Sequence, residues 1–163
     1  MLQRIQSVLL FFAALCMLAI LYFPMWEKAD VDKNEKVSLS SLALTHEKVD
    51  IETTEINMLA EQWTGYIAIL AVLAAAVAFY SIFRYDNRLF QIKLGALNSL
   101  LMGGCIGTSV YFALQAESMI VPEVRGDYLT GFYLGVVALL LNSMANRFIR
   151  KDERLVRSAD RIR

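Results

Sequence analysis

The clearest pattern in the chain is the alternation of long uncharged stretches with shorter charged segments. Four stretches carry no charged residue, and they run over residues 5–26, 62–83, 94–116 and 128–146. A helix needs about 20 mostly apolar residues to cross the hydrocarbon core of a bilayer. The pattern therefore predicts four transmembrane helices with these stretches as their spans.

The segment between the first two spans predicts a small structure outside the membrane. KVSLSSLALT and KVDIET alternate apolar and polar residues and predict two short strands, which His46 and Glu47 would separate as a hairpin. Four apolar residues follow at helical spacing, so the second membrane helix is expected to begin a turn or two early: Ile56, Leu59, Ala60 and Trp63. The predicted fold is an all-α membrane protein, a single domain over residues 1–163, with one small extracytoplasmic hairpin.

Composition supports this reading and limits what the chain can do. The 163 residues are 57% hydrophobic and carry no formal net charge. The four spans take up just over half of the chain, which leaves little for a separate soluble domain. A globular enzyme core is therefore not expected.

The positive charges are unevenly distributed among the segments between the spans. Eleven of the sixteen Lys and Arg residues lie in the N-terminus, in residues 84–93 and in residues 147–163. Because loops rich in Lys and Arg stay in the cytoplasm, both termini are predicted to be cytoplasmic. The localisation predicted is a multi-pass protein of the bacterial inner membrane.

A search for catalytic or metal-binding patterns finds little. His46 is the only histidine, and the sequence has no phosphate-binding glycine loop and no HExxH motif. No Asp, Glu, Lys, Arg or His lies within a span, which argues against ion-coupled transport but does not exclude a facilitator or a pore formed with other subunits. Cys16 and Cys105 lie at similar depth and would touch if the first and third helices were neighbours; inert buried thiols are the alternative. No enzyme activity, cofactor or metal site is predicted.

Small and polar residues within the spans indicate how the helices pack. A stripe of small residues repeats every four positions along the third helix: Gly95, Ser99, Gly103 and Gly107. On the second helix a possible facing surface consists of Ala68, Ala71, Ala75 and Ala78. Asn98 and Asn142 lie at equal depth, so their amides are predicted to hydrogen-bond between the third and fourth helices as packing contacts rather than as a ligand site.

The C-terminal tail, residues 147–163, carries seven of the sixteen cations. If the fourth helix continues through it, five arginines fall within an arc of about 80°: Arg147, Arg150, Arg154, Arg157 and Arg161. Three interpretations remain open: a solvated helix that only fixes orientation, a helix that binds anionic lipid headgroups, and a docking surface for a cytoplasmic protein or RNA-containing partner. Gln3, Arg4 and Gln6 are expected to emerge on the same side.

The two ends of the chain carry a resemblance to a known family. The opening MLQRIQS and the closing KDERLVRSADRIR resemble the terminal signatures of an uncharacterised Bacteroidota family, the domain of unknown function 4293. The resemblance covers the whole chain, with Leu2 where that family would be expected to have Ile. It implies an integral inner-membrane protein with no assigned activity or cofactor.

Together these features predict a non-enzymatic accessory or scaffold subunit of the inner membrane. Its expected partners are membrane lipids and one or more proteins of the membrane or cytoplasm, with the arginine-rich helix as the docking element. The alternative is a small transporter or channel subunit. No small-molecule substrate is indicated.

Overall fold

The computed structural model describes residues 2–30, 34–49, 56–84, 87–119 and 125–160. Within these residues the chain forms four helices and five strands. The helices are α1 (Leu2–Ala19), α2 (Tyr66–Phe83), α3 (Arg88–Glu117) and α4 (Thr130–Asp160). The strands are β1 (Trp26–Asp30), β2 (Glu35–Leu39), β3 (Ala43–Val49), β4 (Ile56–Trp63) and β5 (Asp127–Tyr128).

Each helix packs mainly against two others. Helix α1 contacts α2 and α4, and α3 contacts the same two helices from the opposite side. Cys16 and Cys105 therefore do not lie on neighbouring helices. Both thiols are free, and the Cys105 thiol lies 3.7 Å from the carbonyl oxygen of Ile67 on α2.

The surface and length of the helices indicate a membrane protein. Among the described residues, three helical segments are long and apolar enough to cross a bilayer: Tyr66–Phe83, Arg88–Glu117 and Thr130–Val156. Helix α1 is shorter, with an apolar part of Ile5–Ala19. All four helices expose large apolar side chains on their outer faces, among them Phe12, Ile69, Leu100, Leu114 and Leu140. So much exposed apolar surface is stable only against lipid or another apolar partner.

The prediction of an all-α fold is wrong, because the segments between helices build a five-stranded antiparallel sheet. Its strand order is β4-β3-β2-β1-β5, so the short β5 from the α3–α4 connection adds to four strands from the α1–α2 connection. An isolated hairpin would be marginal in water. Three or more strands with an apolar face are stable, and this sheet buries such a face: Trp26, Val37, Leu39 and Leu44.

The predicted hairpin is also displaced in sequence. His46 and Glu47 lie inside β3, and the turn between β2 and β3 falls at residues 40–42 instead. The Ser40 hydroxyl accepts a hydrogen bond from the Ala43 N–H at 3.0 Å, a local contact typical of serine in turns. Residues 50–53 of the second predicted strand lie outside the described residues.

The expected early start of the second membrane helix is replaced by strand β4. Ala60 pairs with His46 and Trp63 pairs with Ala43 in the antiparallel ladder with β3. The helical spacing of the apolar residues in this segment did not decide its conformation, because the segment pairs along one side with β3 as the outermost strand of the sheet. Helix α2 then begins at Tyr66.

The two ends of the helical part differ in character. We call the end that carries the strands the sheet end, and the opposite end, where α1 and α3 begin and α4 extends, the tail end. Between the helices the sheet-end half is filled by apolar side chains such as Met17, Ile20, Met102 and Phe112. The tail-end half contains most of the buried amides.

Candidate functional site at the tail end

Six polar side chains are buried between the helices at or near the tail end. They come from all four helices: Gln6, Ser81, Gln91, Asn98, Asn142 and Asn146. The Gln91 side chain donates to the Ser81 carbonyl oxygen at 3.0 Å and so links α3 to the last turn of α2. Buried amides cost free energy unless they are hydrogen-bonded, so these contacts restrict how the helices can be arranged.

The structure brings Asn98 and Asn142 together. Asn98 Nδ2 donates to Asn142 Oδ1 at 3.2 Å. Asn142 Nδ2 in turn donates to the Gly95 carbonyl oxygen at 3.0 Å and to the Ser99 hydroxyl at 2.9 Å. Both N–H bonds of the Asn142 amide and its oxygen are therefore used. We call Asn98, Ser99, Asn142 and Asn146 the amide cluster.

Gly95 lies in tight contact with α4. A Cβ atom on residue 95 would collide with the side-chain amide of Asn146. At Gly103 and Gly107, by contrast, an added Cβ would meet no atom within 4 Å. Because four residues turn an α-helix by about 400°, a four-residue repeat drifts by about 40° at each step. The predicted stripe therefore does not form one face.

The stripe also meets a different neighbour than expected. Gly95 and Ser99 face α4, and Gly103 and Gly107 are exposed on the outer surface of α3. The alanines on α2 that were expected to face the stripe are all buried: Ala68, Ala71, Ala75 and Ala78. They contribute to the general packing of α2.

The arginine-rich tail continues α4 without a break as far as Asp160. Arg147, Arg150 and Arg154 are exposed on it. Together with Lys151, Leu155 and Ser158 they line a surface recess of about 650 Å³. Arg157 lies on the helix, but its side chain is outside the described part of the structure, as is the whole of Arg161.

The tail is fixed to the start of α3 by an ion pair. The Arg88 guanidinium lies 3.3 Å from Asp152 Oδ2 and also donates to the Asp152 carbonyl oxygen at 3.3 Å. Both side chains are partly buried. Ile149, one turn earlier, is fully buried. These contacts turn one side of the tail helix toward α3 and leave the arginine side free.

A second concave surface lies between α3 and α4 where the arginines begin. We call it the α3–α4 groove; it has a volume of about 370 Å³ and is lined by Ala96, Ser99, Ser143, Asn146, Arg147 and Arg150. Asn146 is only 7% exposed, and its Oδ1 has no hydrogen-bond partner in the structure. The groove thus combines a buried amide, hydroxyls and two guanidinium groups.

Sequence reasoning missed some of these residues. Gln6 was expected to emerge beside the tail, but it is buried, with its Nε2 unpaired. The available signal was its register, since Gln6 falls on the buried face of α1 with Leu10, Ala13 and Met17 at three- and four-residue spacing. Asn146 precedes Arg147, and Gln91 lies between Arg88 and Lys93, so both are in segments whose charges indicate exposure. No pattern in the sequence indicated that these two side chains are buried.

The sheet end also holds charged side chains whose burial the sequence pattern concealed, among them Lys28 and Asp30 on β1. Lys28 on β1 is fully buried, and its ammonium donates to the Glu117 carbonyl oxygen at 2.9 Å and to the Glu117 carboxylate at 3.4 Å. This contact ties the sheet to the end of α3. In the described part of the chain, no group of three or more His, Cys, Asp or Glu side chains is placed to hold a metal ion.

Comparison with known proteins places the chain in a family. A family model described as a domain of unknown function (DUF4293) matches residues 2–162. The chain belongs to this family, as its two ends had indicated. A comparison with curated proteins finds no match.

Proposed function

We propose that this member of the DUF4293 family is a non-enzymatic accessory or scaffold subunit of the bacterial inner membrane. Its termini would be cytoplasmic, and its C-terminal helix would dock a cytoplasmic protein. The observation that carries this proposal is the continuous α4 helix, which extends beyond the apolar residues and holds Arg147, Arg150 and Arg154 exposed on one side.

The fixed position of the tail supports docking over a role in orientation alone. An orientation signal needs only positive charge near the membrane, and it does not need a defined helix position. Here the Arg88–Asp152 contact holds the helix against the start of α3, and Ile149 one turn earlier is buried. A binding surface that is already ordered loses less conformational entropy when a partner binds.

The chemistry of the tail favours an acidic protein surface. Arginine presents a planar set of donors that can bind a carboxylate through two parallel hydrogen bonds. Leu155 is exposed within the same recess and adds an apolar contact next to Arg154. Arginine is enriched at protein interfaces.

Site-specific photo-crosslinking in intact cells tests docking. A photoreactive benzoylphenylalanine replacing Leu155 should yield one defined adduct with a cytoplasmic protein, and the added substitution Arg154→Gln should remove it. The same group at Leu140, which is exposed on the outer face of α4 within its apolar part, is the matched control and should give lipid adducts. If the Leu155 adducts persist unchanged after Arg154→Gln and Arg150→Gln together, docking through the arginines is wrong.

The proposed topology needs its own experiment. In a variant without Cys16 and Cys105, a single cysteine replaces either Lys36 on β2 or Ser158 on the tail. A thiol reagent that cannot cross membranes should label the Lys36→Cys protein in spheroplasts. It should label the Ser158→Cys protein only after the membrane is opened. The reverse pattern would contradict cytoplasmic termini.

A small transporter or channel subunit is the second candidate, and the buried polar side chains favour it. Gln6 Nε2, Ser81 Oγ and Asn98 Oδ1 are buried without a hydrogen-bond partner, as they would be in a path for water. The apolar packing of the sheet-end half argues against a continuous path. Reaction of cysteines placed at Asn98 and Asn142 with a water-soluble thiol reagent would support transport, and complete protection would exclude it.

A further inference from the structure

The α3–α4 groove shares Arg147 and Arg150 with the proposed docking surface, and its other features indicate a separate binding site. It opens on the outer surface of the helices, at the level where apolar residues give way to arginines. Arg147 and Arg150 line it, and within the described residues neither guanidinium lies within 4.0 Å of a carboxylate. Two unpaired positive charges beside a groove favour an anionic ligand.

The groove also contains a buried polar group that lacks a partner. The Asn146 side chain is 7% exposed, and its Oδ1 accepts no hydrogen bond. Asn146 lines the groove, and its Nδ2 carries two N–H groups that can be offered to an acceptor there. Ser143, partly exposed beside it, can donate as well. Phosphate oxygens would use all of these donors.

A strip of small residues leads from the groove along the outer face of α3. At 100° per residue, Ala96, Gly103 and Gly107 fall within an arc of about 40°. An added Cβ at Gly103 or Gly107 would meet no atom within 4 Å, so the strip is open at these two positions, and the exposed Leu100 borders it between Ala96 and Gly103. From residue 96 to residue 107 it is about 16 Å long at 1.5 Å per residue. One leaflet of a bilayer has about 15 Å of hydrocarbon, so the strip is as long as one acyl chain.

We propose that the α3–α4 groove binds an anionic glycerophospholipid from the leaflet at the tail end. The phosphate lies between Arg147, Arg150 and the Asn146 amide, and one acyl chain follows the strip past Gly103 and Gly107. This inference goes beyond the docking function, because it concerns the lipid-facing surface and requires no cytoplasmic protein.

Charge selects this occupant over a second copy of the chain. A second helix could also pack on the small residues. A second copy in the same orientation would, however, bring its own arginines to the level of Arg147 and Arg150, and like charges repel. A lipid phosphate neutralises both arginines.

The test uses the purified full-length protein in detergent, titrated with phosphatidylglycerol and, in parallel, with phosphatidylcholine. Native mass spectrometry counts the bound lipids. Phosphatidylglycerol should bind about tenfold more tightly or better, since two basic residues each contribute to binding an anionic headgroup. Arg147→Gln with Arg150→Gln should remove that preference. Equal binding of the two lipids by the unaltered protein would overturn the proposal.

A second pair of variants separates the contribution of the small-residue strip to lipid binding from that of the arginine charges. Gly103→Leu fills the open strip without changing charge, and it should weaken phosphatidylglycerol binding several-fold. Arg154→Gln removes a tail arginine that does not line the groove, and its binding should stay within about twofold of the unaltered protein, because only a distant charge is lost. Unchanged binding in Gly103→Leu would contradict the acyl-chain position.

Two further measurements test for other occupants of the groove: competition by inorganic phosphate tests for a free anion, and the mass of the assembly tests for a second copy of the chain. Competition by millimolar inorganic phosphate that abolishes lipid binding would show a free-anion site and would overturn the lipid assignment. A dimer mass that disappears in Gly103→Leu would show that a second copy covers the strip, which would also overturn it. The docking proposal has a separate readout, since the Leu155 adduct depends on Arg154 and not on Gly103.

Discussion

The close contact between α3 and α4 at Gly95 makes a quantitative prediction about stability. Gly95→Ala adds one methyl group that collides with the Asn146 amide. Gly103→Ala makes the same chemical change on the same helix, where the methyl group meets nothing within 4 Å. Both variants gain the same helix propensity, up to about 1 kcal/mol, so the comparison between them isolates the collision.

The size of the effect follows from packing. Adding a methyl group to a tightly packed interior typically costs about 1–3 kcal/mol. Displacement of α4 would also strain the hydrogen bond from Asn142 to the Gly95 carbonyl oxygen, which is worth about 0.6 kcal/mol between membrane helices. Because the atoms struck are the end of the Asn146 side chain and not backbone, Gly95→Ala should be less stable than Gly103→Ala by about 1 kcal/mol, the lower end of this range.

Unfolding in mixed micelles with a rising fraction of dodecyl sulfate measures this difference. Helix content by circular dichroism gives the midpoint for each variant. Asn146→Ala provides the internal control, because it removes the amide that the new methyl group strikes. In that background the added cost of Gly95→Ala should fall below about 0.5 kcal/mol, within the usual additivity error. Equal stabilities of Gly95→Ala and Gly103→Ala would refute the close approach at Gly95.

Three further predictions concern other contacts. Asn142→Ala removes three hydrogen bonds of the amide cluster and should lower the free energy of unfolding by about 1–3 kcal/mol in the same assay; no change would mean that these bonds contribute nothing. Glu117→Ala removes a carboxylate partner of the buried Lys28 ammonium and should cost about 1–3 kcal/mol, less than the ~3–5 kcal/mol of a fully buried pair because Glu117 is partly exposed. Glu27→Ala, which removes an exposed pair, should cost less than about 1 kcal/mol. Arg88→Gln releases the tail helix and should raise amide hydrogen exchange over residues 152–160 about two- to fivefold; unchanged exchange would show that the tail is held by other contacts.

The helices were the most predictable part of the fold. Uncharged stretches of about 20 residues have few stable arrangements other than a membrane helix, because a bilayer offers no partner for backbone hydrogen bonds. The three long helices follow from this, and so does the continuation of α4 into the arginine tail, whose periodicity is helical. The end of the first span differs from the prediction: α1 ends at Ala19, and the stretch up to Trp26 leads into the sheet.

The strands could be predicted only in part. Alternation of apolar and polar residues indicated β structure after residue 35, but pairing determines where each strand begins and ends. The segment of β4 carries a helical spacing of apolar residues and is nevertheless a strand, because β3 offers an edge to pair with. Strand β5 has two residues and no periodicity to detect.

The candidate site was also predictable only in part. The equal depth of Asn98 and Asn142 could be read from distances to the nearest charges, and the structure brings these amides together. The spacing of Gly95 and Gly103 suggested one face, although the helix places them on different sides. Spacing along the chain predicts the depth of a residue in the membrane well, but it predicts poorly which residues of other helices that residue contacts.

The sequence by itself determined which segments are apolar enough for a membrane, the positive character of the tail and the family. Those properties are local, since they depend on the composition of one segment and on the period of one helix. Only the tertiary structure decided that the connections form one sheet, that Lys28 is buried against Glu117, and that Asp152 binds Arg88. These are contacts between residues that are distant in sequence. Their energies depend on packing geometry, which no single segment specifies.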